Sequence, residues 1–203
     1  AYFPDVTIVV GGEEKSDIPP SVAAIGAIAK SDSLTGASFY APAGSKRSAL
    51  RSVIGISGPS INTQELNELV YDADINPIIT YEGTSGPFIN GQKTLLRGQS
   101  ALDRVDVRRM LIDIRRKVRN IANTLLFEPN RESTLEKFTA LVNPIMSSIR
   151  AAGGISRYKV VIDTTTTTQS DIENNTIRGK IFLQPVGSIE FVALDFEVTN
   201  TIN

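Results

Sequence analysis

Two short segments, Gly55-Ile56-Ser57-Gly58-Pro59 and Gly83-Thr84-Ser85-Gly86-Pro87, set a serine in a glycine-rich turn, as an exposed nucleophile requires. A G-x-S-x-G elbow holds such a hydroxyl out for attack. In both segments Pro stands where the last Gly belongs. The chain also contains no His and no Cys. The commonest general base and metal ligand are therefore absent, and zinc sites and Ser-His or Cys-His pairs are excluded. Only Asp, Glu or Lys could serve as a base. Gly11-Gly12 and Gly153-Gly154 lack phosphate-loop spacing, and Glu13-Glu14 and Asp72/Asp74 lack the pattern of a calcium loop. These features read as turns and solvated surface. No catalytic residue, cofactor or metal is expected.

Charge offers a second chemistry. Residues 103–119 hold seven basic side chains (Arg104, Arg108, Arg109, Arg115, Arg116, Lys117, Arg119) against Asp103, Asp106 and Asp113, a balance of +4. The whole chain is −1, so the remainder is −5. The molecule is polarised although nearly neutral, which suits docking on an acidic partner surface. A solvated helix face with internal ion pairs is the plainer reading. No aromatic residues interleave with the arginines, so nucleic acid is not the expected partner.

These residues need elements to position them. The 203 residues, 41% of them apolar, are enough for one globular domain over 1–203 without disulfides. No apolar run approaches the roughly 20 residues that span a bilayer, so no membrane insertion is expected. The chain begins at Ala1 rather than Met, and a fragment or processed product is expected. Ala1–Val10 reads as a strand, Gly11–Pro20 as a loop, and Ser21–Lys30 as a short helix in which Gly26 allows close approach. Ser31–Ser48 reads as loop. Residues 49–56 fit strand or helix. A short helix capped by Asn62 or Thr63 is expected over Thr63–Asp72, and a hairpin over Ile75–Tyr81 and Phe88–Leu96.

Two long helices follow. Val107, Met110, Leu111, Ile114, Val118, Ile121, Ala122 and Leu125 share one face of a helix over Asp103–Phe127, stopped by Pro129. A second is expected over Thr134–Ala152, with Ser133 and Glu136 as a capping box, a kink at Pro144 and an end at Gly153-Gly154. Strands are then expected over Tyr158–Asp163, Ile177–Gln184 and Ile189–Thr199. In the last, Val192, Leu194, Phe196 and Val198 alternate with Ala193, Asp195, Glu197 and Thr199, a half-buried pattern. Such a strand at the end of a chain can pair mid-sheet or template pairing between subunits.

Four stretches carry a family resemblance. Pro19-Pro20-Ser21-Val22-Ala23-Ala24-Ile25-Gly26-Ala27-Ile28-Ala29-Lys30-Ser31-Asp32 with the later Ala41-Pro42-Ala43-Gly44, then Asp103-Arg104-Val105-Asp106-Val107-Arg108-Arg109-Met110-Leu111, then Leu126-Phe127-Glu128-Pro129-Asn130, and last Tyr158–Thr165 with Gln184-Pro185-Val186 and Ile189–Val192 occur in this order. Together they resemble the C-terminal domain of contractile-tail bacteriophage tail sheath proteins. The family's further N-terminal segments and outer domains have no counterpart here.

The resemblance implies an α/β (α+β) fold, a mixed sheet packed by two long helices. It implies a non-enzymatic, tube-proximal sheath domain that polymerises helically around a tail tube. Its partners would be further copies, the tail tube protein, baseplate and tail terminator. It would be assembled in the host cytoplasm and placed in the virion tail. A sheath of a bacterial secretion or toxin-injection system fits the same residues. The resemblance also implies strand exchange between subunits. We expect Phe191, Val192, Ala193, Leu194, Asp195, Phe196, Glu197 and Val198 to serve it, and Arg108, Arg109, Arg115, Arg116 and Arg119 to contact the tube or another partner.

Overall fold

The computed structural model describes residues 1–187 apart from 13, 59–64, 66, 67, 82, 85, 99, 130, 163–165, 169, 171–173 and 175. The expected first strand divides at Pro4 into β1 (Tyr2–Phe3) and β2 (Asp5–Val10). The polar stretch expected as a loop folds back as β3 (Glu14–Ile18), turning at Gly11 and Gly12, whose φ values of 65° and 97° favour glycine. Main-chain pairing with β2, from Val6↔Ile18 to Val10↔Glu14, holds this strand, so its polar composition hides it. β4 (Val53–Ser57) pairs with the other side of β2, which settles the open reading of residues 49–56 as strand.

α1 (Pro20–Thr35) starts on a proline, as fits the first helical turn, and runs five residues past the expected end at Lys30. Gly36, at φ 67°, closes it. Its buried side chains are Ala23, Ala24, Ala27 and Ser31. Gly26 points outward and a Cβ there would meet nothing within 4 Å, so the alanines make the close approach expected of it. α2 (Gly44–Arg47) lies inside a stretch expected as loop. A π-helical turn over Glu68–Asp72 stands in the region expected as a short helix; the proposed caps Asn62 and Thr63 lie outside the described residues.

β5 (Asn76–Ile79) and β6 (Phe88–Ile89) form the expected antiparallel pair, through Ile78↔Ile89, but shorter. Buried Asn76 explains the early end of β6. Its Nδ2 donates to the Lys93 carbonyl (2.8 Å) and its Oδ1 accepts from the Lys93 N–H (2.6 Å), so a side chain replaces the strand ladder. β1 pairs parallel to β5.

A 3₁₀ turn (Ala101–Asp103) leads into α3 (Val105–Thr124). This helix ends five residues before Pro129. Phe127 follows at φ 68°. α4 (Glu132–Ala151) begins two residues before the expected start, on Arg131 without a side-chain cap. The Ser133/Glu136 capping box therefore does not form; Thr134 Oγ1 instead donates to the Pro129 carbonyl at 2.7 Å. The helix continues through Pro144. It closes as expected at the glycines: Gly154 N–H reaches Ile149 O (2.9 Å) and Gly153 N–H reaches Arg150 O (3.0 Å), with Gly153 at φ 81°. β7 (Ile155–Val161) and β8 (Lys180–Pro185) complete the described chain. The expected strand Ile189–Thr199 lies outside the described residues.

Helices and sheets are mixed, as expected, and among the described residues the strands are shared among three small sheets: β1-β5-β6, β3-β2-β4 and β7-β8. One apolar cluster joins the α1 alanines to Val6, Leu50, Val53, Ile78 and Ile89. A second joins Val107, Met110 and Ile114 of α3 to Val142, Met146 and Ile149 of α4 and to Ile155. Among the described residues no helix is long and apolar enough to cross a membrane.

Candidate functional site

β7 and β8 pair antiparallel, with Tyr158↔Leu183, Lys159↔Phe182 and Val160↔Ile181 in register. Residues opposite each other share a face. Tyr158, Val160, Ile181 and Leu183 pack on the α3–α4 cluster. The other face shows Arg157, Lys159, Lys180, Phe182 and Gln184, all exposed; Phe182 keeps 56% of its surface. Among the described residues this sheet has two strands, so both outer edges present unpaired main-chain groups. The preceding turn ties down one end: Val186 N–H donates to Gly154 O at 3.1 Å. Phe191, Val192, Ala193, Leu194, Asp195, Phe196, Glu197 and Val198 follow this hairpin in the chain and lie outside the described residues.

The five arginines singled out on α3 divide into three settings. Arg108, Arg115 and Arg119 are exposed and fall at i, i+7 and i+11, one stripe of the helix. None has an acidic partner among the described residues. Ile112, 59% exposed, sits between them on that stripe. Arg116 donates to Asp113 at 2.9 Å, and Lys117 holds the other Asp113 oxygen at 2.7 Å. Partial burial pushes the Asp113 carboxyl upward, but the Lys117 and Arg116 bonds and charges outweigh it and leave it below its ordinary value. Arg109 turns inward to form an ion pair with Asp32 of α1, and it also reaches Ser38 O at 3.5 Å.

Arg109 thus sits at the junction of the two apolar clusters. Burial raises the nearby Tyr2 hydroxyl above its ordinary pKa, with the Arg109 charge opposing. Phe39 crosses to the α3–α4 cluster at the same junction. A Cβ on Gly154 would stand 2.9 Å from both Phe39 and Ile149, so the closest approach there requires glycine.

The serine segments are occupied by structure. Ser57 Oγ donates to Asp17 at 2.6 Å and lies 2.9 Å from the Thr7 hydroxyl, tying β4 to β2 and β3. These bonds lower the Asp17 pKa from its ordinary value, Ser57 first and then Thr7, against weak desolvation. Ser85 lies outside the described residues. Two polar residues are buried that the sequence does not mark as core: Asn76, and Asp106, which enters there only as a charge and in the 103–111 stretch; each is 1% exposed. Asp106 accepts from the Val107 N–H at 2.7 Å, and the Gln92 amide, turned to donate, lies 3.2 Å from both its oxygens. Both anchor the chain before α3, and a lone Asn or Asp gives no sequence signal of burial.

The phage tail sheath C-terminal domain matches residues 99–199. The tail sheath protein of Enterobacteria phage T4 is 30% identical over 184 residues, which cover 91% of this chain and 27% of that protein. That of Vibrio phage KVP40 is 29% identical over 164 residues, 80% of this chain and 24% of the relative. Among solved structures, the sheath complex of an extracellular contractile injection system, PVC, in its contracted state superposes with a TM-score of 0.84 at 26% identity, over 97% of this chain and 55% of that one. The anti-feeding prophage baseplate gives 0.85 at 22% identity, over 98% of this chain and 54% of that one, a likeness of fold. The chain spans about a quarter of these two phage relatives' length.

Proposed function

Residues 99–199 belong to the phage tail sheath C-terminal domain family, and from that premise we propose that this chain is one inner, tube-proximal domain of a contractile phage tail sheath subunit. The subunit polymerises helically around the tail tube and contracts to drive the tube through the host envelope. The observation that carries this reading is the β7–β8 hairpin, with its inner face packed and both edges open among the described residues. A strand from another copy can extend it through main-chain bonds, which depend little on side-chain contacts. Side-chain contacts then differ between an extended and a contracted lattice while the strand connection persists. Phe191–Val198 is the segment we assign to that exchange.

The stripe Arg108, Arg115 and Arg119 is the surface we assign to the tube or another acidic partner. Arg109 and Arg116, paired with Asp32 and Asp113 in the isolated chain, flank it, the first turned inward and the second mostly exposed. The role is structural, without catalysis, cofactor or nucleic-acid partner. Baseplate and tail terminator are the contacts at the sheath ends, and the subunit is assembled in the host cytoplasm and carried in the virion tail.

The likeness to the PVC sheath favours a second reading, a sheath subunit of a toxin-injection system. Electron microscopy of the full-length protein with its tube tests both. Helical sheaths are expected; a strictly monomeric protein overturns the proposal. Loaded phage heads on the tails would select the phage reading.

A further inference from the structure

The hairpin that the strand-exchange reading treats as a main-chain template also has a charge. Its two strands carry Arg157, Lys159 and Lys180 and no acid, a balance of +3. All three are exposed on the outer face and have no acidic partner among the described residues. Residues 188–203 carry Glu190, Asp195 and Glu197 and no base, a balance of −3. The two charges are complementary and lie on the two halves of the proposed exchange.

The inner side is complementary too. At the Val161/Lys180 end of the hairpin a groove of about 820 Å³ opens between the end of α3, the start of α4 and the sheet. Leu125, Leu135, Phe138 and Ile181 are among its apolar lining, and Glu128 and Lys180 border it too. An alternating strand laid along the hairpin edge presents one face to this groove and the other to the basic face. In Val192–Thr199 the apolar set is Val192, Leu194, Phe196 and Val198, and the opposite set holds Asp195 and Glu197. Only one of the two possible facings puts apolar side chains in the groove and carboxylates beside the lysines. A one-residue slip reverses both matches.

We propose that the hairpin is a charge-selective acceptor for the C-terminal segment of a second copy, with Asp195 and Glu197 beside Arg157, Lys159 and Lys180 and the alternate apolar residues in the α3–α4 groove. This rests on the exchange reading and adds what fixes facing and partner. Pairing the tail of one copy with the hairpin of the next is head-to-tail, the kind of contact that extends as an open helix wherever the rotation between copies does not close a ring.

Reciprocal charge reversal in the full-length protein tests it. K159E/K180E and D195K/E197K, each alone, should raise the critical concentration for assembly about tenfold, as cross-strand attraction becomes repulsion. An equimolar mixture should restore the parent value, because each reversed half then meets its complement on the other variant. That rescue also shows that both variants fold. Either variant assembling like the parent overturns the charge pairing and leaves strand exchange standing. A mixture no better than its parts overturns it as well, since a tail held on its own chain cannot be rescued by a second one. A truncation after Gly187 that assembles normally removes strand exchange itself.

Discussion

The β3-β2-β4 sheet and the β7-β8 hairpin are both small and antiparallel, yet they treat their polar groups in opposite ways. In the first, β2 is paired on both sides, and Thr7, Asp17 and Ser57 bond to one another across three strands. In the second, among the described residues, both edges are open, and Arg157, Lys159 and Lys180 stand on one face without an acid. Polar groups that satisfy one another stabilise a chain by itself, whereas unpaired groups on a preformed surface select a partner. The same contrast separates the two charged helices. The Lys30 and Asp32 side chains of α1 turn to Ala49 O and Arg109, while α3 shows solvent Arg108, Arg115 and Arg119.

The sharpest way to break this comparison is truncation after Gly187. We expect loss of helical polymers by electron microscopy with little change in the melting temperature of the unassembled protein. A large drop in melting temperature would mean that the C-terminal segment completes its own chain's sheet. Next in size is Met146→Ala, which empties a fully buried site beneath the hairpin. Urea unfolding should show a loss of about 2–5 kcal/mol. A loss well below that would mean that the hairpin stands without the helices. Gly154→Ala follows. Its new methyl would meet Phe39 and Ile149 at 2.9 Å, and overpacking of this kind costs about 1–3 kcal/mol. An unchanged midpoint would show that the packing of Phe39 against Ile149 yields easily.

The smallest effect belongs to Asp113. Its folded-state pKa lies below the ordinary value, so its pairs contribute stability that is present above the unfolded pKa and lost as pH falls through the folded one. Asp113→Asn should therefore cost less than about 1 kcal/mol at neutral pH, because Arg116 and Lys117 are largely solvent-exposed. That difference should vanish in acid below the folded pKa. A difference that persists there would assign the effect to packing instead of charge.

Much of the fold is legible in the sequence because long periodic helices announce themselves. The α3 stripe is readable from spacing alone, and Val107, Met110 and Ile114 are its buried residues. Short strands were less legible. β3 is polar and held by main-chain bonds to β2, and β6 ends early because Asn76 replaces its ladder. Capping misled at α4, where Ser133 and Glu136 have the right spacing but Arg131 holds the position before the helix.

Composition by itself removed histidine and cysteine chemistry, and the residue order placed an apolar, alternating, acidic segment at the C-terminus. Those are local properties, fixed by which residues occur and how they repeat. Only the tertiary structure separated Arg109, which pairs with Asp32 of α1, from Arg108, Arg115 and Arg119, which face solvent without an acidic partner among the described residues. It alone gathered Arg157, Lys159 and Lys180 onto one face. The physical reason is that a charge is free or spent according to what packs beside it. Asp32 reaches Arg109 across 77 positions of chain, a separation that no spacing rule spans.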